Sequence, residues 1–139
     1  MLTGAASVLV HNCGDLNKDE GVQGAHPKEH LDLSDNYIVN RASTDPNTNV
    51  ASTLPSSSAQ ANINSVVSHN RVAINKWAAR AQVGERRNFK LEFNSPVGRV
   101  ANSSGEVRDA TTLTLVLMRV ANGYQGHKGA WVLFTMKAS

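Results

Sequence analysis

The chain has 139 residues, 40% hydrophobic and 18% charged, with 14 Lys and Arg against 11 Asp and Glu for a formal net charge of +3. That size supports one modest core, and no stretch approaches the roughly 20 apolar residues that a membrane-spanning helix needs. Cys13 is the only cysteine, which excludes an intrachain disulfide, and the pI of about 9.3 suits either a phosphate-bearing partner or a solvated basic surface.

Residues 1–13 (MLTGAASVLVHNC) are uncharged and mostly small or apolar, whereas Gly14 to Glu29 is polar and dense in Asp, Lys and Glu. The opening lacks the basic start and small-residue cleavage site of a signal peptide. A boundary is expected near Cys13, then a linker over 14–25 and a folded domain over 26–139. Pro27 permits a helical start leading into His30 and Leu31, and Ser34-Asp35 caps a short helix through Tyr37, Ile38 and Arg41. Turn-forming residues from Asp45 to Asn49 end it. Ser56 or Ser57 caps the next helix, in which Ala59, Ile63, Val66 and Val67 recur at helical spacing. Ile74, Trp77 and Ala78 continue that face beyond His69-Asn70, as one kinked helix or two. His69-Asn70 lacks the second His and the metal frame of His/Asn nuclease motifs and reads as a helix junction.

After Gly84 the period changes to two. Phe89, Leu91 and Phe93 alternate with polar residues, Val97 to Val100 is short, Leu113 to Met118 is β-rich, and Trp131 to Thr135 follows. Turns are expected at Asn94-Ser95-Pro96, Ser103-Ser104-Gly105 and Asn122-Gly123. Helices followed by strands predict an α+β domain with an antiparallel sheet. Arg80, Arg86, Arg87, Lys90 and Arg99 give its middle a basic bias.

Val8-Leu9-Val10-His11-Asn12-Cys13 resembles the C-terminal end of Hint (intein-like) autoprocessing domains, which precede toxin modules in polymorphic secreted effectors. The resemblance implies that the Asn12 side-chain amide attacks its own carbonyl and that His11 polarises that peptide. His11, Asn12 and Cys13 are then a boundary remnant rather than a working site.

The body carries His30-Leu31, Ser34-Asp35 and Arg41, then Ala51-Ser52-Thr53-Leu54, Asn70-Arg71 with Ile74 and Trp77, Val97-Gly98 with Gly105, Val116-Leu117 with Arg119, and Trp131 to Thr135. In order and spacing these resemble the bacterial ribonuclease A-like toxin domain of contact-dependent inhibition effectors and related polymorphic toxins. The resemblance covers nearly all of the body and implies a ribonuclease A-like α+β fold without disulfides. It also implies active-site roles for His30, Arg41 and Thr135. The family often has Tyr two positions after that Thr; here Lys137 stands, an ammonium that can stabilise phosphate charge or donate a proton but cannot stack as a phenol does.

Such a site suits RNA, which brings its own nucleophile in the 2′-hydroxyl, so the scheme calls for no metal or cofactor. His30 titrates near neutral pH and serves as base or acid, a role that typically contributes roughly 100- to 10,000-fold. Arg41 can grip two phosphate oxygens and Thr135 adds a hydroxyl where negative charge develops, so a 2′,3′-cyclic phosphate product is expected. The resemblance further implies RNA, with tRNA among the candidates, as substrate and a cognate immunity protein as partner. It implies export within a larger effector and action in the target-cell cytoplasm. Two other readings stay open. His26-Pro27-Lys28-Glu29-His30 fits the H-x-x-E-H pattern of a zinc peptidase, with His26 and His30 as ligands and Glu29 activating water. A non-enzymatic nucleic-acid-binding module would instead use the basic middle with Trp77 or Tyr124.

Overall fold

The computed structural model describes residues 14–45, 47, 49–121 and 130–139; the His11, Asn12 and Cys13 junction, the Asn122-Gly123 turn and Tyr124 lie outside them. The described chain opens with a short helix, α1 (Leu16–Asp19), capped by the Asp15 carboxylate, which accepts from the N–H groups of Asn17 and Lys18 at 2.8 and 2.9 Å. Leu16, Val22 and Ala25 are buried, and the fully buried Asp19 accepts from the Leu133 N–H at 2.8 Å. Residues 14–25, expected as a linker, are therefore packed onto the domain. Pro27–His30 forms a 3-10 turn, with Pro27 in its first turn.

Helix α2 (Asp35–Thr44) begins as expected, with Ser34 Oγ accepting from the Tyr37 N–H at 3.2 Å; it buries Ile38 and Ala42 and leaves Arg41 exposed. The long apolar pattern resolves into two helices, α3 (Ser56–His69) and α4 (Arg71–Arg80). Between them, the Asn70 amide donates to the Val66 and Lys90 carbonyls at 2.9 and 3.0 Å and holds the break against the sheet. Neither Ser56 nor Ser57 caps α3. Pro55 occupies the cap position, and the Asp32 carboxylate, 24 residues earlier, accepts the Ser56 N–H at 2.9 Å. Asp32 reaches it from a left-handed turn with φ 53°, a conformation Asp tolerates better than most residues.

Among the described residues, six strands form two antiparallel sheets rather than one: β1 (Val50–Thr53), β3 (Gly98–Asn102) and β4 (Val107–Ala110) in order β1-β3-β4, and β2 (Arg86–Glu92), β5 (Thr112–Arg119) and β6 (Trp131–Ala138) in order β2-β5-β6. Helices do not simply precede strands, because β1 lies between α2 and α3. In the second sheet Phe89, Leu91, Leu113, Leu115, Leu117, Leu133 and Met136 join Ala59, Ile63, Val66, Ile74 and Trp77 of α3 and α4 in the main core. The opposite face is polar around Lys90, Thr114 and Lys137 and apolar at its other end, where Met118, Val132 and Phe134 cluster with Val22 and Ala25. Between Val116↔Thr135 and Leu117↔Leu133 the β5–β6 register slips by one, so Phe134 is an extra, unpaired residue.

Candidate active site

Two anchors fix the His30 backbone. Its carbonyl accepts from the Leu54 N–H at 2.9 Å and from Thr53 Oγ1 at 3.0 Å, and Leu31 pairs with Leu54 in a parallel bridge. From this position the half-buried imidazole places Nε2 3.1 Å from Thr135 Oγ1 on β6. Burial is the main reason the His30 pKa lies below the ordinary 6.5; the charges of Arg41 and His26 push the same way. Glu29 and a hydrogen bond with the Ser52 backbone oppose the shift. The ring is therefore held toward its neutral form.

His30 stands at a cleft of about 740 Å³ formed where the two sheets meet. Val50, Ala51, Ser52, Val100 and Arg108 line it from the first sheet, and Asn88, Lys90, Thr112, Thr114 and Lys137 from the second. Arg41 and Asp45 at the end of α2 reach the same space. The buried Ser52 Oγ accepts from the Ala138 N–H at 3.0 Å, tying β1 to β6.

Strand register orders the polar face. Lys90, Thr114 and Lys137 lie across from one another on β2, β5 and β6, and Asn88, Val116 and Thr135 form the next rung. Arg41, Lys90, Arg108 and Lys137 thus bring four basic side chains to a cleft in which Asp45 is the only side-chain carboxylate among the described lining residues. Such a site favours a polyanion.

The structure places His30 beside Thr135 and puts Arg41 and Lys137 in one cleft with His30. Sequence reasoning missed Asn88, Thr114 and Arg108 and saw Lys90 only as part of a basic middle. For three of these the signal was available: Asn88, Lys90 and Thr114 are the polar positions alternating with Phe89, Leu91, Leu113 and Leu115, and one sheet face carries them all. Arg108 lies on the unanticipated β4. Arg99, counted with the basic middle, is an ion-pair partner of Asp35 at 2.7 Å.

The described residues do not assemble the expected zinc site. Among the described residues no group of three His, Cys, Asp or Glu could hold a metal ion. The reason is local, since a 3-10 turn has about three residues per turn and does not stack positions four apart on one face. The His26 and His30 rings lie 6.4 Å apart and tilted. Trp77 is equally unsuited to stack a base, being 3% exposed, with its Nε1–H donating to Glu85 at 3.1 Å.

The family model described as the bacterial CdiA-CT RNAse A domain matches residues 25–136. Among solved structures the chain is similar to the crystal structure of a CdiA-CT/CdiI complex from Y. kristensenii 33638. The TM-score is 0.68 and the identity 19%, with 80% of this chain and 95% of that one covered, a likeness of fold. No curated protein matches the chain.

Proposed function

The chain belongs to the bacterial CdiA-CT RNAse A domain family, and from that membership we propose that it is a toxin module that cleaves RNA without a metal. The observation that carries this reading is the His30–Thr135 pair at 3.1 Å in a cleft lined by Arg41 and Lys137. With the ring proton on Nδ1, Nε2 of neutral His30 carries the free lone pair and faces Thr135 Oγ1. An incoming 2′-hydroxyl displaces the Thr135 hydroxyl from Nε2 and gives up its proton there, and the 2′-oxygen attacks phosphorus. The Thr135 hydroxyl turns to a phosphate oxygen, where it joins the Arg41 guanidinium in stabilising the charge that builds up. The bond to the 5′-oxygen breaks, and the Lys137 ammonium supplies its proton. The products are a 2′,3′-cyclic phosphate and a 5′-hydroxyl.

The same reading makes residues 1–13 the remnant of a Hint-type junction and the parent protein a secreted effector acting in the cytoplasm of a target cell. It also calls for a cognate immunity protein, since the similar CdiA-CT structure is that of a complex with CdiI. An acidic inhibitor covering His30, Arg41 and Thr135 fits the charge of the cleft.

Cleavage of total RNA in excess EDTA tests the proposal. The wild-type domain should cut, His30→Ala and Arg41→Ala should lose roughly 100-fold or more in rate, and Thr135→Ala should fall with them. Intact RNA, or cleavage restored only by added zinc, would overturn it.

A further inference from the structure

The bulge in β6 has a steric result next to His30. In a regular strand Phe134 and Thr135 would face opposite sides of the sheet; with Phe134 as the extra residue, both lie on the polar side. Phe134 packs there against the cluster of Val22, Ala25, Met118, Val120 and Val132. The Arg86 guanidinium lies over its ring, with Cζ 4.0 Å from the centroid. His26 meets the ring edge-on at 5.1 Å and is fixed by its own N–H donating to the Phe134 carbonyl at 2.7 Å and by Nδ1 contacting the Gly24 carbonyl at 3.1 Å. The His26 ring is in turn 6.4 Å from that of His30.

Arg86 is exposed, and among the described residues no carboxylate or carbonyl engages its N–H groups. A planar, weakly hydrated cation is thus set over an aromatic ring, with its donors unused, and that ring is linked through His26 to the proposed base. Unpaired RNA bases stack on guanidinium planes and offer acceptors at their edges. We propose that Arg86, supported by Phe134 and walled by His26, is a nucleobase-stacking subsite for a nucleotide flanking the scissile phosphate. This rests on the ribonuclease reading and adds to it a base-recognising element outside the phosphate-lined cleft.

The test uses short oligonucleotides with one cleavable ribonucleotide linkage, either fully base-bearing or with an abasic residue on the 5′ or the 3′ side of that linkage. In the wild type, removing the base on one side should lower kcat/KM by roughly 5- to 150-fold, as expected for one stacked base. Arg86→Lys keeps the charge but loses the plane, so the ratio of base-bearing to abasic kcat/KM should fall toward one, as it should in Arg86→Ala. Arg80→Ala, which removes a cation from α4, should leave the ratio as in the wild type. Because each ratio is taken on one enzyme sample, partial misfolding of a variant cancels. A ratio unchanged in both Arg86 variants, with RNA still cleaved, overturns the subsite and leaves the ribonuclease reading standing. A wild type that cuts none of these substrates, nor total RNA, overturns both.

Discussion

Arg41 acts on His30 through space, besides the phosphate role proposed for it. Burial comes first in holding the His30 pKa below 6.5, and the Arg41 charge follows. The neutral imidazole is the form a base needs, so the acid limb of the kcat/KM profile should lie below pH 6.5. Arg41→Gln removes the charge while keeping a hydrogen-bonding side chain. It should move that limb to higher pH and lower kcat/KM by roughly 100-fold through the lost phosphate contact. Profiles recorded between pH 4.5 and 8 would decide this; a limb that stays in place would show that the Arg41 charge does not move the His30 pKa. All four residues picked out from the sequence came from family resemblance, because nothing in the spacing of His30, Arg41, Thr135 and Lys137 announces that a fold joins them.

Among the elements, those with a strong local pattern were legible. The Ser34 cap, the apolar stripe of α3 and α4, the alternation in β2 and the β-rich run of β5 all follow from local rules. Strands β1 and β4 were not legible: each has four residues, β1 ends in Ser52 and Thr53, and β4 includes Arg108 and Asp109. Their pairing with β3, rather than any hydrophobic period, makes them strands. The cap of α3 was missed for a similar reason, since it comes from Asp32 across a turn. Gly98 marks a close approach between β3 and its neighbours. A Cβ there would sit 2.2 Å from the Thr53 carbonyl oxygen and 3.2 Å from Ala138 Cβ. Gly98→Ala should therefore force β1 and β6 away from β3 and destabilise the domain by roughly 1–3 kcal/mol. Urea denaturation measures the loss; an unchanged midpoint would mean that the backbone yields at little cost.

For the molecule as a whole, the clearest pH dependence comes from Asp19 rather than from the cleft. Burial pushes this carboxyl up to about 7, although the Leu133 and Gly14 backbone groups pull it down, and Asp15 adds to the rise. A folded pKa above the unfolded 3.8 means that the native state holds its proton longer. Asp19 therefore favours folding most at low pH, and its contribution is lost as pH rises from about 4 through about 7. Asp19→Asn keeps an oxygen to accept from Leu133 and should flatten the stability profile over that range relative to wild type. Denaturation midpoints at pH 4.5 and 7.5 test this, and parallel profiles for the two proteins would refute it.

His30 and Thr135 are 105 positions apart, and no shorter piece of chain contains both. The contact that defines the site must therefore close one of the longest loops in the domain, against a large entropy. A polypeptide kept extended, on a ribosome or threaded through a pore, carries every reactive side chain yet assembles none of them into a working group. Its chemistry is latent until the fold is complete, so an extended chain is inactive whatever groups it carries.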